Sequence, residues 1–232
     1  LAMETGYAWP LGPFRIWDAL GWETAVKLIR EAGHTLPEWA AEMEAAGIKM
    51  FYREEEEGQK VFEPSSATYI PVPGSAETIR LYATSEEKLV FRNEEIRLHD
   101  IGDGVLCLEF ASRHNAIGEG ILRGIQHSID LAEGQGWKGL VIGNQAQHFT
   151  VGANLMLIGM LAFQQEFEQL DMAVRLFQQT SLRCRYSAIP VVCACQGYTF
   201  GGGTELLMYC DAAVVAAETY IGLVEMSVGL LP

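Results

Sequence analysis

Apolar and polar positions alternate in a regular strand–helix pattern over the C-terminal part of the chain, from about residue 91 onward. Residues 96–101 and 104–110 each have the two-residue period of a strand, and Asp103-Gly104 between them is a hairpin turn signal. Further strands are predicted at 139–143, 190–195 and 211–216, with helices at about 118–134, 165–187 and 204–210. This alternation predicts an α/β core.

The N-terminal part of the chain has a different pattern. Apolar residues between Ile16 and Ile29 recur every three or four positions, which predicts a helix that Gly33 ends. Pro37 fits the first turn of a second helix. An acidic run and several prolines follow, with little periodicity. The sequence therefore predicts an all-helical segment over 1–53, a linker with local turns over 54–90 and an α/β domain over 91–232.

Charge and composition exclude several classes of function. The formal net charge is −14 and the chain has no basic clusters, which argues against binding to nucleic acid or to an anionic membrane surface. A small anionic ligand is not excluded, because it responds to local charge and backbone dipoles. No apolar run reaches the ~20 residues of a membrane-spanning helix, so no membrane insertion is expected.

The cysteines predict a reducing compartment. There are five, an odd number with irregular spacing, and most stand in apolar runs. Such residues are typical of reduced core thiols, so a cytoplasmic protein is expected. No further ligands stand near them at the spacing of a metal site, so no metal is predicted.

Candidate chemistry starts at three consecutive glycines, Gly201 to Gly203, between a predicted strand and a predicted helix. Glycines there allow a close approach of the backbone. The helix that follows directs N–H groups and the positive end of its dipole outward, where they can stabilise a developing oxyanion. Glu205 falls in the first helical turn, beside that position.

Two other segments add to this chemistry. Val151 stands before the small residues Gly152 and Ala153, after the predicted strand 139–143, and its N–H could face the same cavity. Glu225 is flanked by apolar residues. Desolvation raises the pKa of a carboxyl in such surroundings, which suits general acid–base work near neutral pH.

The three segments together resemble the crotonase, or enoyl-CoA hydratase/isomerase, superfamily. They are the loop Phe149-x-x-Gly-Ala-Asn154, the turn 201–203 before Glu205, and Glu225 before the run 229–232. The resemblance implies a crotonase-type ββα spiral core, truncated at its C-terminus. It implies that the amides of Val151 and Gly202 form the oxyanion hole for a thioester carbonyl. It also implies that Glu205 and Glu225 activate a water, which adds to a 2-enoyl-CoA to give a 3-hydroxyacyl-CoA.

The resemblance also implies contacts with acyl-CoA. Residues 112–117 resemble the early CoA-contacting loop of the family, with Arg113 and Asn115 as candidates. Gly152, Ala153 and Asn154 are the candidates in the second loop. The family usually has Asp where Asn154 stands, and we expect only a modest effect on loop order because Asn keeps the size and hydrogen-bonding capacity of Asp. Assembly of several copies into a homo-oligomer is implied as well.

The N-terminal segment carries a second resemblance. Residues 6–21 are similar to the C-terminal helical domain of 3-hydroxyacyl-CoA dehydrogenases. The two resemblances together imply a piece of a bifunctional fatty-acid β-oxidation protein, as do the missing initiator Met and the stop directly after the third segment. No G-x-G-x-x-G follows a predicted strand, so NAD is expected in a domain outside this chain. The chain itself is expected to hold no cofactor beyond the CoA thioester substrate.

Two alternatives remain open from sequence. Enoyl-CoA isomerisation can proceed with one glutamate, whereas hydration uses two, so the pair Glu205 and Glu225 favours hydration. The second alternative is a non-catalytic structural segment of the larger enzyme, which the truncated domain supports.

Overall fold

The computed structural model describes residues 2–55, 58–81 and 86–230. The chain divides into two compact units, Leu1–Ala83 and Thr84–Pro232.

The first unit places four helices before a small sheet. The helices are α1 (Ala2–Tyr7), α2 (Pro13–Leu20), α3 (Trp22–Glu31) and α4 (Glu38–Ala45). The strands are β1 (Tyr52–Glu55), β2 (Gly58–Glu63) and β3 (Thr68–Pro71), paired antiparallel in the order β1-β2-β3. Gly21 joins α2 to α3 at a φ of 82°, a backbone conformation that favours glycine.

Aromatic rings form the core of this unit. Trp17 stacks on Trp22 with ring centroids 5.4 Å apart, and Phe51 packs edge-on against Trp17 at 5.3 Å. Phe62 from β2 and Tyr69 from β3 join the same cluster, with ring centroids 5.8 Å apart. The sheet is therefore part of the hydrophobic core of the helical segment.

The prediction of a linker over 54–90 is wrong for the strands β2 and β3. The acidic run and the prolines obscured their short apolar alternation, which becomes a sheet because Phe62 and Tyr69 gain burial against the helices. Glu54, from the acidic run, accepts hydrogen bonds from the side chains of Gln59 and Arg80. Residues 56–57 and 82–85 lie outside the described residues.

The second unit contains the predicted α/β core. A six-stranded sheet has the order β10-β8-β7-β6-β5-β4. Its strands are β4 (Leu89–Arg92), β5 (Ile96–Asp100), β6 (Val105–Phe110), β7 (Gly139–Gly143), β8 (Val191–Cys195) and β10 (Ala212–Val215). Strands β5 and β6 form the predicted antiparallel hairpin, and β6, β7, β8 and β10 run parallel.

The described residues of this unit also form four α-helices, three short 3₁₀ helices and a second, two-stranded sheet. The α-helices are α5 (Glu119–Gln135), α6 (Leu155–Phe163), α7 (Phe167–Arg185) and α8 (Gly202–Tyr209). Strands β9 (Tyr198–Phe200) and β11 (Tyr220–Gly222) pair in parallel. The predicted helices at 118–134, 165–187 and 204–210 and the predicted strands are confirmed, with ends that differ by a few residues. The short strands β4, β9 and β11 are additions to the prediction.

The main core lies between the six-stranded sheet and the helices. Leu98, Leu108 and Ile142 of the sheet are fully buried, as are Ile125 and Ile129 of α5. The parallel arrangement puts the connections that follow β7 and β8 at the same edge of the sheet, which is where parallel sheets form binding sites. Those connections carry Val151 and the three glycines.

Gly124 in α5 provides a test of this packing. A Cβ added there would stand 2.8 Å from Cγ1 of Ile96, whereas one added at Gly134, in the same helix, would meet open space. We expect Gly124→Ala to lower the free energy of unfolding by about 1–3 kcal/mol through overpacking. The matched control, Gly134→Ala, should raise it by about 0.5–1 kcal/mol, because Ala has the higher helix propensity.

Urea titration measures both changes, and hydrogen exchange of peptides from α5 identifies the unit that unfolds. A stabilising Gly124→Ala would contradict the close approach of α5 to β5.

Candidate active site

Backbone hydrogen bonds bring three separate segments together beyond the ends of β7 and β8. Ile117 N–H donates to Gly152 O at 2.8 Å, and Asn154 N–H donates to Ile117 O at 3.2 Å. Thr150 N–H donates to Tyr198 O at 3.0 Å. The loop that carries Val151 is thus held between the loop 112–117 and strand β9.

Atoms of neighbouring residues lie close to each of the three consecutive glycines, Gly201 to Gly203. A Cβ on Gly201, whose φ is 51°, would lie 3.0 Å from Oε1 of Glu225. A Cβ on Gly202 would lie 2.7 Å from Cζ of Phe177, and one on Gly203 would lie 2.1 Å from a methyl carbon of Thr150. No larger residue fits at Gly202 or Gly203 without displacing a neighbour, because real Cβ atoms do not approach other atoms so closely.

The two amides predicted for the oxyanion hole stand in loops that touch backbone to backbone. A Cβ on Gly152 would lie 2.9 Å from Phe200 O, and the same position on Gly202 lies 3.7 Å from Ala153 N. Gly202 is the first residue of α8, so its N–H has no acceptor within the helix. Across residues 2–55, 58–81 and 86–230, neither Val151 N–H nor Gly202 N–H has a hydrogen-bond acceptor. Both donors are available to a ligand oxygen, and their role in catalysis stays a prediction.

Glu205 stands in the first turn of α8 and is half-buried. Burial raises the pKa of its carboxyl above the ordinary value, and the negative charge of Glu225 raises it further. The two carboxylates therefore interact electrostatically, as the prediction of an acid/base pair requires. A raised pKa gives Glu205 the capacity to hold and release a proton nearer neutral pH.

Glu225 begins a short 3₁₀ helix, Glu225–Val228, that follows β11. Its Oε2 atom is buried and has no hydrogen-bond partner among the described residues. A buried carboxylate oxygen without a partner is costly, and a catalytic role is one physical reason for such an atom. The opposite oxygen faces Gly201, so Glu225 lies against the glycine turn.

Thr204 fixes the strand that leads to Glu225, and the sequence reasoning missed it. Its hydroxyl lies 2.7 Å from Thr199 O and 3.0 Å from Gly222 O, and it accepts the N–H of Gly222 at 3.2 Å. Gly201 N–H also donates to Gly222 O at 2.9 Å. These bonds attach β11 to both β9 and α8. A threonine in a first helical turn carries no sequence signal for such a role.

The side chains predicted to contact acyl-CoA differ in their exposure and in their hydrogen bonds. Arg113 is exposed in a short 3₁₀ turn, Arg113–Asn115. Asn115 is buried, and its Nδ2 donates to His148 O at 3.0 Å. Asn154 caps α6, because its Oδ1 accepts the N–H of Leu157 at 3.2 Å. The amide side chains of Asn115 and Asn154 thus support loop structure, and contact of these residues with acyl-CoA stays a prediction.

Other kinds of site are not formed by the described residues. Residues 134–139 have the order G-x-G-x-x-G, but they lead from helix α5 into strand β7, whereas dinucleotide-binding turns lead from strand to helix. Within residues 2–55, 58–81 and 86–230, no three His, Cys, Asp or Glu side chains are grouped to hold a metal ion. None of the described helices combines the length and apolar character needed to cross a membrane.

Residues 100–232, more than half of the chain, match the family model described as enoyl-CoA hydratase/isomerase. The chain belongs to this family. A crystal structure of an enoyl-CoA hydratase from Polaromonas sp. JS666 aligns with a TM-score of 0.56 and 24% identity. The alignment covers 59% of this chain and 54% of that one. The crotonase fold of the second unit is therefore confirmed.

Two relatives extend the comparison. The Bacillus subtilis protein named "Probable 3-hydroxyacyl-CoA dehydrogenase" is 40% identical over the whole of this chain. The chain spans only 29% of that relative's length. Human ethylmalonyl-CoA decarboxylase is 29% identical over 141 residues, which are 60% of this chain and 44% of the human protein. Proteins similar to this chain thus carry names of different reactions.

The raised pKa of Glu205 predicts a dependence of stability on pH. A carboxyl whose pKa is higher in the folded state contributes stability below its unfolded pKa, and that contribution is lost as the pH rises through the folded pKa. We therefore expect Glu205→Gln to raise the free energy of unfolding at about pH 7 and to have a smaller effect at about pH 4.

Urea titration at both pH values measures this effect. Glu94→Gln is the matched control, because Glu94 is exposed and the same change there should leave stability almost unaltered. A loss of stability at neutral pH in Glu205→Gln alone would contradict the desolvation of Glu205.

Proposed function

We propose that this chain carries the hydration site of a 2-enoyl-CoA hydratase that belongs to a larger fatty-acid β-oxidation protein. One observation carries the proposal: the carboxylates of Glu205 and Glu225 adjoin two loops whose Val151 and Gly202 amides have no acceptor in the part of the chain that the structure describes. Two free donors suit a carbonyl oxygen that gains negative charge, and two carboxylates suit the activation of a water.

The amides act on the thioester carbonyl of the substrate. Negative charge moves onto the carbonyl oxygen as a nucleophile attacks the β carbon of the conjugated double bond. The N–H groups of Val151 and Gly202 stabilise that charge, and the N-terminal end of α8 contributes the positive end of its dipole. Because these donors are fixed before the substrate arrives, little reorganisation is needed during the reaction.

The carboxylates handle the water and its protons. One carboxylate accepts a proton from the water as the oxygen–carbon bond forms at the β carbon. A proton is delivered to the α carbon, so the net change is addition of H and OH across the double bond. Burial raises the pKa of Glu205, and the nearby charge of Glu225 raises it further, which keeps Glu205 able to exchange a proton nearer neutral pH.

The parent protein is the second part of the proposal. The Bacillus relative matches both units and is named as a dehydrogenase, which supports a bifunctional protein that oxidises the 3-hydroxyacyl-CoA product. NAD would accept the hydride in that second reaction, at residues outside this chain. The five buried free thiols support a cytoplasmic location, and the family resemblance supports a homo-oligomer.

Two other reactions need the same oxyanion hole. Isomerisation moves a proton with one carboxylate, and the decarboxylase relatives release carbon dioxide from a related thioester. Neither gives a reason for a second carboxylate beside Glu205, which is why hydration is the preferred reaction. A non-catalytic segment gives no reason for the buried Glu225 oxygen that lacks a hydrogen-bond partner among the described residues.

Substitution of each glutamate in the full-length parent protein tests the mechanism. We expect Glu205→Gln and Glu225→Gln each to lower kcat with crotonyl-CoA by about 10²–10⁴-fold, with a smaller change in KM, because each removes a group that acts in the transition state. Loss of the enoyl absorbance measures the rate. Glu168→Gln on the exposed surface of α7 is the control and should retain the wild-type rate.

The products distinguish the alternatives. A wild-type rate of hydration in Glu205→Gln or in Glu225→Gln would contradict the proposed mechanism. Double-bond migration without hydration would identify an isomerase, and carbon dioxide from ethylmalonyl-CoA without hydration would identify a decarboxylase. Binding of CoA thioesters with no turnover of any of these would support a non-catalytic segment.

A further inference from the structure

Thr150 stands at the centre of the candidate active site, and the reaction described above gives it no role. It is fully buried, next to Val151 in the sequence. Its hydroxyl donates to Asn115 O at 2.5 Å and accepts the N–H of Gly152 at 3.0 Å. A threonine hydroxyl has one proton to donate, so these two bonds define its direction.

The backbone of Thr150 is held as firmly as its side chain. Thr150 O accepts the N–H of Phe200 at 3.3 Å. This carbonyl and the N–H of Val151 belong to one planar peptide unit and point in opposite directions. The bond to Phe200 therefore directs Val151 N–H away from β9.

The next peptide unit is fixed by the hydroxyl. It contains Val151 C=O and the N–H of Gly152, and that N–H is bound to Oγ1 of Thr150. Both peptide units on either side of the Val151 Cα are thus oriented by Thr150, one through its carbonyl and one through its hydroxyl. Little rotation is left to the Val151 amide.

The methyl group of Thr150 reaches the second loop of the site. A Cβ on Gly203 would lie 2.1 Å from Cγ2 of Thr150, so the methyl rests against the backbone of the first turn of α8. That turn begins at Gly202, the other predicted amide donor. One side chain therefore orients the first loop with its hydroxyl and spaces the second with its methyl.

The geometry points to Thr150 as a positioning residue for the Val151 amide: its carbonyl directs the Val151 N–H, and its hydroxyl holds the next peptide unit and the loop 112–117, so that the N–H stays aimed at the thioester carbonyl. This inference rests on the proposed oxyanion hole and adds the residue that orients it. Thr150→Val keeps the shape and the methyl but leaves Gly152 N–H and Asn115 O buried without partners. Thr150→Ser keeps the hydroxyl and removes the methyl.

The test uses the full-length parent protein and butyryl-CoA labelled with ¹³C at the thioester carbonyl, which cannot be hydrated. Difference infrared spectroscopy reports how strongly the bound carbonyl is polarised. In wild type we expect the carbonyl frequency of bound butyryl-CoA to be lower than that of the free thioester. Thr150→Val should lose most of this shift, and Thr150→Ser should retain it. Hydration of crotonyl-CoA should follow the same order, with kcat about 10–100-fold lower in Thr150→Val and KM less affected.

Thr180→Val is the matched control for the loss of a buried hydroxyl. Thr180 is also fully buried, and its hydroxyl donates to Leu176 O at 2.8 Å and accepts from Nε2 of Gln126 at 2.7 Å. The bond from Gln126 joins α5 to α7, and the bond to Leu176 lies within α7. We expect Thr180→Val to lower stability while the carbonyl frequency stays at the wild-type value.

A wild-type carbonyl frequency and kcat in Thr150→Val would overturn the inference. If Thr150→Val does not fold, Thr150→Ser is the deciding variant. It retains the hydroxyl, so loss of the carbonyl shift in Thr150→Ser would show that the hydroxyl is not sufficient to orient the amide and would overturn the inference. A shifted carbonyl in wild type without hydration would reject the proposed hydratase and leave the role of Thr150 intact. Hydration by wild type together with an unchanged carbonyl frequency and kcat in Thr150→Val would support the hydratase and reject the role of Thr150.

Discussion

The candidate active site depends on two turns that approach each other closely at glycines. Gly202 and Gly203 face Phe177 and Thr150 at distances that leave no space for a Cβ, and Gly152 faces a carbonyl of β9 in the same way. Glycines lose more conformational freedom on folding than other residues, so this contact is costly to order. The hydrogen bonds around it must therefore be strong enough to hold the unfavourable arrangement.

Two buried threonines provide that order. Thr150 binds the backbone of the loop 112–117 and of its own loop, and Thr204 binds the backbones of β9 and β11. Most polar groups of this scaffold are satisfied, as buried polar groups generally are. Among the described residues, the groups without a partner include the amides of Val151 and Gly202 and the Oε2 atom of Glu225, together with the hydroxyl of Thr199 in β9. Buried side-chain atoms without a partner also occur outside the site, at Trp17, Trp22, His99 and Ser128. The two amides and the Glu225 oxygen differ from these in standing where the proposed substrate would satisfy them.

The sequence predicted the features that depend on local pattern or on a family motif. Helix α5 and strand β7 followed from periodicity, and the candidate residues came from three short motifs. Strands β2 and β3 were missed because their formation depends on burial of Phe62 and Tyr69 against distant helices. Thr150 and Thr204 were missed because their partners are 35 and 18 residues away in Asn115 and Gly222. Contacts of that kind leave no trace in a local pattern.

Electrostatics favours amides over a cation as the donors of the proposed oxyanion hole. Among the described residues, no Lys or Arg pairs with Glu205 or Glu225, although the structure places ion pairs elsewhere, such as Arg183 with Glu133. A cation beside these carboxylates would lower their pKa values and weaken them as bases. N–H dipoles act over a shorter range than a full charge, so they can stabilise an oxyanion while desolvation keeps the pKa of Glu205 raised. The glycine turn therefore separates two requirements that a single lysine would bring into conflict.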